Sequence, residues 1–329
     1  MRVLVAPLNW GLGHASRCIP LIERYLKNGD EVVLGGDGES LLLLRKHFPD
    51  LRVLSFASLE LRYSAGDSQV RAMLKAVPKI VRAAIADHRM LRRYLIQQEK
   101  FDLVVSDNRF GLFSTSVRCV YMTHQLHVKL PRIHRWLEPA VAALHGWICR
   151  QYDEVWVPDY ADVAHCLSGE LGHPQKVYSD NIVYIGPLSR FASLKMPMRR
   201  EEFAGKTAFD VVAVLSGPES QRTMLQEDVL ARYEKSDTRV LIVEGKMRKP
   251  QVQVTKGMIT MVPYMDDYPL AMALAGAKKI IARSGYSTIM DLAVLGVLDK
   301  AELIPTPGQS EQMYLASLLK TRVQAMSRV

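Results

Sequence analysis

No stretch of this chain holds the roughly 18 unbroken apolar residues that a membrane-spanning helix needs, although 48% of its 329 residues are hydrophobic. The apolar residues fall instead into short runs. The N-terminus enters one at once, MRVLVAP, which predicts that no signal peptide is present. Cysteine is scarce, and Cys18, Cys119, Cys149 and Cys166 form no CxxC pair. That spacing argues for reduced thiols in a cytosolic protein, and against disulfides or a zinc site. Internal repeats and low-complexity tracts are also missing. Acidic residues are thin in one region: residues 62–150 hold 6 Asp/Glu against 15 Lys/Arg, while the whole chain carries +9. Such an excess suits a solvated helical face, an anionic membrane surface, an acidic ligand or nucleic acid. No DNA or RNA motif supports the last.

What is present is an alternation. Strand-like runs at 2–6, 31–36, 51–56, 101–107, 118–124, 153–159 and 181–186 are separated by longer helical patterns such as 15–28 and 69–99. This order predicts an α/β fold with a parallel sheet covered on both faces. The pattern lapses after residue 186 in a stretch with proline, a basic pair and no clear period. It restarts with strands at 210–217, 238–245, 258–265, 278–285 and 301–307. The expected organisation is a first Rossmann-like domain over 1–188, a linker over 189–208, and a second doubly wound domain over 209–329, the two facing a cleft. Ligands of such sheets bind outside the carboxyl ends of the strands, where His14, Asp107 and His124 fall.

Four junctions carry candidate chemistry. PLNWGLGHASR (7–17) places Gly11, Gly13 and His14 between a strand and a helix, a place suited to an anion. A dinucleotide fingerprint would need a third glycine where Ser16 stands; Asp37, after the second strand, keeps NAD as an alternative. ARSGYSTIMDLAVLG (282–296) offers Arg283, Ser284, Gly285, Ser287 and Thr288 at a helix start, with Asp291 a turn further in; these suit a phosphate and a ribose diol, or a plain N-cap. LSGPESQRT (215–223) offers Ser216, Gly217 and Arg222, or a turn with Pro218 opening a helix. PTPGQSEQMYLA (305–316) offers Gln309, Glu311 and Gln312, whose amides suit sugar hydroxyls.

In this order, the GxGH loop, PYMDD (263–267), RSGxxT with an acid three residues on, and the GQ…Q loop resemble the GT-B glycosyltransferases, in particular family 28. The resemblance implies a UDP-sugar site in the second domain. Met265 would then lie at the uracil, Arg283, Ser284 and Gly285 near the diphosphate, Asp291 at the ribose, and Gln309 and Gln312 at the sugar. It implies an acceptor in the first domain, a lipid-linked one among the options, with His14 as base or as a ligand for an acceptor diphosphate and Asp107 orienting it. It implies inversion, no metal and no cofactor beyond the UDP-sugar, most naturally UDP-N-acetylglucosamine. Asn9 and Trp10, Glu311, Tyr286 and Ser287 depart from the family pattern. The sequence also stops soon after the helix at 311–320, where GT-B proteins usually continue. The rival readings are a nucleotide-sugar 2-epimerase on the same fold and a non-catalytic nucleotide-sugar-binding subunit. KLPRIHRWLEPAVAALHGWICR (129–150), with its two tryptophans and basic flanks, suits either a bilayer interface or a core helix. The expected location is the cytoplasm, with peripheral attachment to a membrane as an option.

Overall fold

The short apolar runs become strands in a computed structural model that describes residues 1–57, 69–194, 208–217, 219–247, 250 and 252–326. The chain divides into two units, Met1–Leu188 and Ser189–Val329. In the first, β1 (Arg2–Pro7), β2 (Glu31–Gly36), β3 (Arg52–Ser55), β4 (Leu103–Asp107), β5 (Arg118–Met122), β6 (Glu154–Val157) and β7 (Ile182–Tyr184) form a parallel sheet in the order β3-β2-β1-β4-β5-β6-β7. Its described helices are α1 (Gly13–Lys27), α2 (Gly38–His47), α3 (Gln69–Ile96) and α4 (Glu138–Cys149). Val3, Leu4 and Val5 on β1 and Val104 and Val105 on β4 are all fully buried. Central parallel strands are apolar on both faces, so they read as unbroken runs and not as alternation.

The second unit holds β8 (Val211–Val214), β9 (Val240–Val243), β10 (Val254–Lys256), β11 (Ile259–Val262), β12 (Lys279–Arg283) and β13 (Ala301–Ile304), in the order β10-β11-β9-β8-β12-β13. The β10–β11 pair is antiparallel and the other pairs are parallel. Helices α5 (Glu219–Tyr233), α6 (Asp267–Gly276), α7 (Tyr286–Val294) and α8 (Ser310–Met326) accompany it. Alternate strand residues enter different apolar clusters. Val212, Leu241 and Val243 pack with Leu270 and Leu274 of α6, whereas Val211, Ala213, Val240 and Ile242 pack with Leu225 and Val229 of α5. Neighbouring strand residues point to opposite faces, so this sheet is covered on both.

Each sheet has a place where the strand order reverses: β1 lies between β2 and β4, and β8 between β9 and β12. Crevices at such points bind ligands in doubly wound folds. The register sets Asp107 at the end of β4 directly opposite Pro7 at the end of β1.

The segment expected to be a linker, 189–208, begins as part of the second unit. Ser189 and Phe191 are buried, and Phe191 joins the cluster around Val212 and Leu270. An aromatic side chain with an apolar surface at hand does not stay in solvent, even in a stretch with no period. Residues 195–207 of that segment, Pro218, residues 62–68 of the basic region and the side chains of 69–76 lie outside the described residues. Two elements had no sequence signal. In α2, the apolar residues come as four consecutive leucines and show no helical period. All three residues of β10 are exposed, so no alternation marks that edge strand.

Candidate active site

The first loop is held from the side of α2. Gly11 sits at φ +73 and Gly38 at φ +60, a region that side chains avoid. A Cβ on Gly38 would also collide with the Asn9 amide, which packs against it. Asn9 Oδ1 accepts from Ser40 N at 3.2 Å, and the Ser40 hydroxyl donates to Leu8 O at 3.2 Å and Gly11 O at 3.1 Å. Asn9, a departure from the family pattern, therefore ties the loop to α2. Helix α1 then opens behind Leu12 with no side-chain cap and no acid in its first turn, leaving its end favourable to an anion.

His14 sits in that first turn, with its side chain 13% exposed, and its Nδ1 lies 3.1 Å from Asp107 Oδ1. The sequence pairs these two and gives no sign of the third member. Arg17 lies three residues after His14, on the same helical face. Its Nε donates to Asp107 Oδ2 at 2.9 Å and its Nη2 to Asp107 Oδ1, a bidentate grip on a fully buried carboxylate. The same Nη2 is 2.9 Å from His14 Nδ1, and Nη1 is 3.2 Å from His124 Nδ1. The signal is present in GHASR, but an arginine in a basic chain draws no notice without its partner.

Charge placement decides protonation here. Burial is the larger influence on His14 and pushes its pKa down; Asp107 pulls it up and Arg17 pushes it down again. His14 is therefore neutral near pH 7. For Asp107, burial alone would raise the pKa, but Arg17 and His14 together hold the carboxyl well below the usual carboxylate range. Burial and Asp107 keep the neighbouring Cys18 a thiol, pushing its pKa well up. Neutral His14 then has two hydrogen-bonding states. With Nδ1–H donating to Asp107, Nε2 carries the lone pair and can accept a proton. With Nδ1 accepting from Arg17, Nε2–H is a donor suited to an anion.

In the second unit the remaining candidates collect along one sheet edge, on the loops and helix starts that follow β8, β11, β12 and β13. Ser216 and Gly217 follow β8. Arg222 in α5 donates to Gly245 O at 2.7 Å and to Glu219 Oε1 at 2.7 Å, bracing the loops after β8 and β9. Met265 packs against the cluster around Leu270. Arg283 is buried and donates to Pro305 O at 3.1 Å and Gln221 O at 2.6 Å. Its cation stands behind the loops, with both terminal nitrogens engaged on carbonyls. Ser284 donates to Gln312 O at 2.8 Å, Gln312 Nε2 donates to Gln309 Oε1 at 2.6 Å, and Thr306 N donates to Gln312 Oε1 at 2.9 Å. The structure thus brings Ser284, Gln309 and Gln312 together. Gly285 is the N-cap of α7 and has no side chain to cap it, so the N–H groups from Tyr286 to Thr288 open a positive helix end.

Asp291 lies in α7 and is buried among partners that the sequence did not reveal. It accepts from Ser189 Oγ at 2.6 Å, and Arg190 Nε stands 3.5 Å away. Arg190 Nη1 also pairs with Asp267 at 3.1 Å. Burial outweighs these partners and raises the Asp291 pKa to about 6. Against an ordinary value of 3.8, the folded unit holds this proton more tightly than the unfolded chain. The resulting stability is present below about pH 4 and is lost as pH rises through 6. Asp291→Asn keeps an oxygen for Ser189 and removes the titration. Going from about pH 4.5 to about pH 7.5, the variant is expected to gain on the wild type by on the order of 2 kcal/mol. Denaturant titrations at the two pH values check this, and a wild-type/variant difference that does not change with pH would refute it.

Residues 211–327 match the glycosyltransferase family 28 C-terminal domain. A protein of Methanosarcina mazei described as an uncharacterized glycosyltransferase is 24% identical over 97% of this chain and 84% of its own length. Among solved structures, the glycosyltransferase of kitacinnamycin superposes with a TM-score of 0.56 at 14% identity, covering 99% of this chain and 94% of its own. UGT89C1 of Arabidopsis thaliana, complexed with UDP-L-rhamnose, gives 0.55 at 15%, with 98% and 82% covered. The spinosyn rhamnosyltransferase complexed with thymidine diphosphate gives 0.55 at 16%, with 97% and 84% covered. These likenesses extend over both units, and the fold they share is GT-B.

Proposed function

We infer that this chain, a GT-B glycosyltransferase whose second unit is a family 28 C-terminal domain, uses a UDP-sugar, N-acetylglucosamine the favoured sugar, and transfers it with inversion to a hydroxyl acceptor. The observation that carries the reading is the His14–Asp107–Arg17 cluster at the strand reversal of the first sheet, beside the uncapped start of α1. The acceptor hydroxyl attacks C1 of the sugar and its proton passes to His14 Nε2. The bond from C1 to the diphosphate oxygen breaks, and UDP leaves with that electron pair. In the second unit, the uncapped α7 terminus is the counter-charge for the diphosphate. Asp291 suits the ribose and the Gln309–Gln312 pair the sugar hydroxyls. No metal is assigned to the transfer step.

The donor class is testable by thermal shift, because a ligand bound only by the folded state raises the midpoint. UDP and one UDP-sugar are expected to raise it by several degrees, and NADH not at all. The two nucleotide-bound structural relatives support a nucleoside diphosphate as the class, and thymidine diphosphate belongs in the same panel. A rise with NADH alone would restore the dinucleotide reading of the first loop.

A lipid-linked acceptor and a peripheral location are part of this proposal. On α3, Val77, Val81 and Ile85 recur every four residues and are 45–51% exposed. Lys79, Arg82 and Arg89 share that helix. After β5, Trp136, Leu144 and Trp147 are more than half exposed. Among the described residues no helix is long and apolar enough to cross a membrane. Apolar side chains beside basic ones suit an anionic surface. Co-sedimentation with vesicles containing anionic lipid, lost on Val81→Asp with Trp147→Asp, is the expected result. Equal binding to neutral vesicles, or none, would overturn the membrane assignment and leave the donor assignment standing.

A further inference from the structure

The cysteines that showed no metal-binding spacing acquire one in space. Beyond the end of β6, Cys166, His173 and Asp159 come together, one ligand atom of each lying within 4.8 Å of the others. The His173 side chain is 7% exposed and its Nε2 is 3.7 Å from Asp159 Oδ2. That nitrogen is buried with no hydrogen-bond partner, a costly position for a polar atom. Its ring is stacked on Tyr184, with centroids 4.5 Å apart and planes 13° apart, and the Tyr184 hydroxyl is fixed by Gly172 O at 2.8 Å. Asp159 is fully buried. Its carboxylate is aimed by the backbone N–H groups of Tyr160, Leu167 and Ser168, each at 2.8 Å, and by the Ser168 hydroxyl. No lysine or arginine is paired with it among the described residues.

We propose that Cys166, His173 and Asp159 bind a zinc-class divalent ion. One thiolate, one imidazole and one carboxylate are a zinc-type donor set, and neither magnesium nor calcium favours sulfur or nitrogen. The charges close: two positive charges meet a thiolate and a carboxylate, so a buried site becomes neutral. Zinc bonds of about 2.0–2.3 Å put ligand atoms roughly 3.3–3.8 Å apart around a tetrahedron. The His173–Asp159 separation already has that value, and the widest pair closes by about 1 Å. The backbone donors on Asp159 are the outer partners that orient a ligating carboxylate; the Ser168 hydroxyl, which shares Oδ2 with the Ser168 N–H, turns away to admit the ion, and the fourth position goes to water. Leu171 O, two residues before His173, accepts from His127 N at 2.9 Å. Gly172 lies against His124 O, where an added Cβ would come within 3.3 Å. The ion would pin the loop that supports the strand end carrying His124, one contact from Arg17.

The test is a cobalt titration of the full chain, reduced and stripped of metal by a chelator that is then removed. The expected result is a thiolate-to-cobalt charge-transfer band that saturates at one equivalent and disappears on adding zinc. Zinc alone should raise the unfolding midpoint. Cys166→Ser and His173→Gln should abolish the band and the rise, while Cys149→Ser, a buried thiol elsewhere, should keep both. Absence of the band in the wild type overturns the proposal. So does a band that survives in Cys166→Ser, since the metal would then sit on another thiol. Folding of each variant is read separately from far-ultraviolet circular dichroism, and His173→Gln retains the test if Cys166→Ser does not fold.

Discussion

His14→Ala is expected to lower turnover by about 10³-fold, the usual range for a positioned general base, and to leave the UDP-dependent rise in unfolding midpoint intact. The two readouts separate because His14 and the candidate nucleotide loops belong to different units. Turnover is read as UDP released from UDP-N-acetylglucosamine, with water standing in for the acceptor hydroxyl. The geometry gives the reason for a large effect. Nε2 is a proton acceptor only while Nδ1 holds its proton, and Asp107, 3.1 Å away, is the group that favours this state. With its pKa pushed below the ordinary value of 6.5, His14 is already deprotonated at neutral pH, so activity should fall only on the acid side of that ordinary value. Unchanged turnover in the alanine variant, with water and with a diphosphate-bearing acceptor alike, would refute both roles given to this side chain. A loss that appears only with a diphosphate-bearing acceptor would select anion binding over proton transfer.

Much of this site can be read from the sequence because its parts are punctuation. A strand that stops at Pro7, glycines at 11 and 13 and a histidine at 14 mark a strand-to-helix junction whatever the rest of the fold does. The same holds for Arg283 to Gly285 and for Gln309. The strands were legible because buried parallel strands are continuous apolar runs, as Val3 to Val5 and Val240 to Val243 show. What stayed hidden depends on distance in sequence. Arg17 and Asp107 are ninety residues apart, and nothing local marks either as half of a buried pair. Ser189 and Arg190 sit in a stretch without period, and only the fold carries them to Asp291. The position of Arg283 at a strand-to-helix junction points to it as a cation near the diphosphate. The structure shows its terminal nitrogens on Pro305 and Gln221 carbonyls, which no spacing rule anticipates. Cys166 and His173 belong to the same class, since their third partner, Asp159, lies before the cysteine across a loop.

Arg17→Met is expected to cost about 3–5 kcal/mol, the range for removing one member of a buried ion pair. Arg17 and Asp107 are both nearly inaccessible to water, so neither can recover hydration when its partner is gone. Asp107 would keep His14 and the weak Cys18 contact at 3.6 Å, which cannot replace a bidentate guanidinium. Two further shifts follow in sign. Without the guanidinium, the Asp107 pKa rises from its lowered position. His14 loses the cation that repelled its proton and keeps the carboxylate that attracts one, so its pKa rises too. The donor that competed for Nδ1 is gone, and the Nδ1–H to Asp107 state is then the one left. The variant should therefore lose stability while the acid limb of its pH–rate profile moves to higher pH than that of the wild type, giving weaker activity on that limb than a simple loss of fold explains. Denaturant unfolding measures the first effect and the pH dependence of UDP release in the folded fraction the second. A stability change below about 1 kcal/mol would mean that the pair is not the one that forms in solution. An acid limb that stays in place would mean that His14 does not sense Arg17, and the cluster would reduce to a structural tie between α1 and β4.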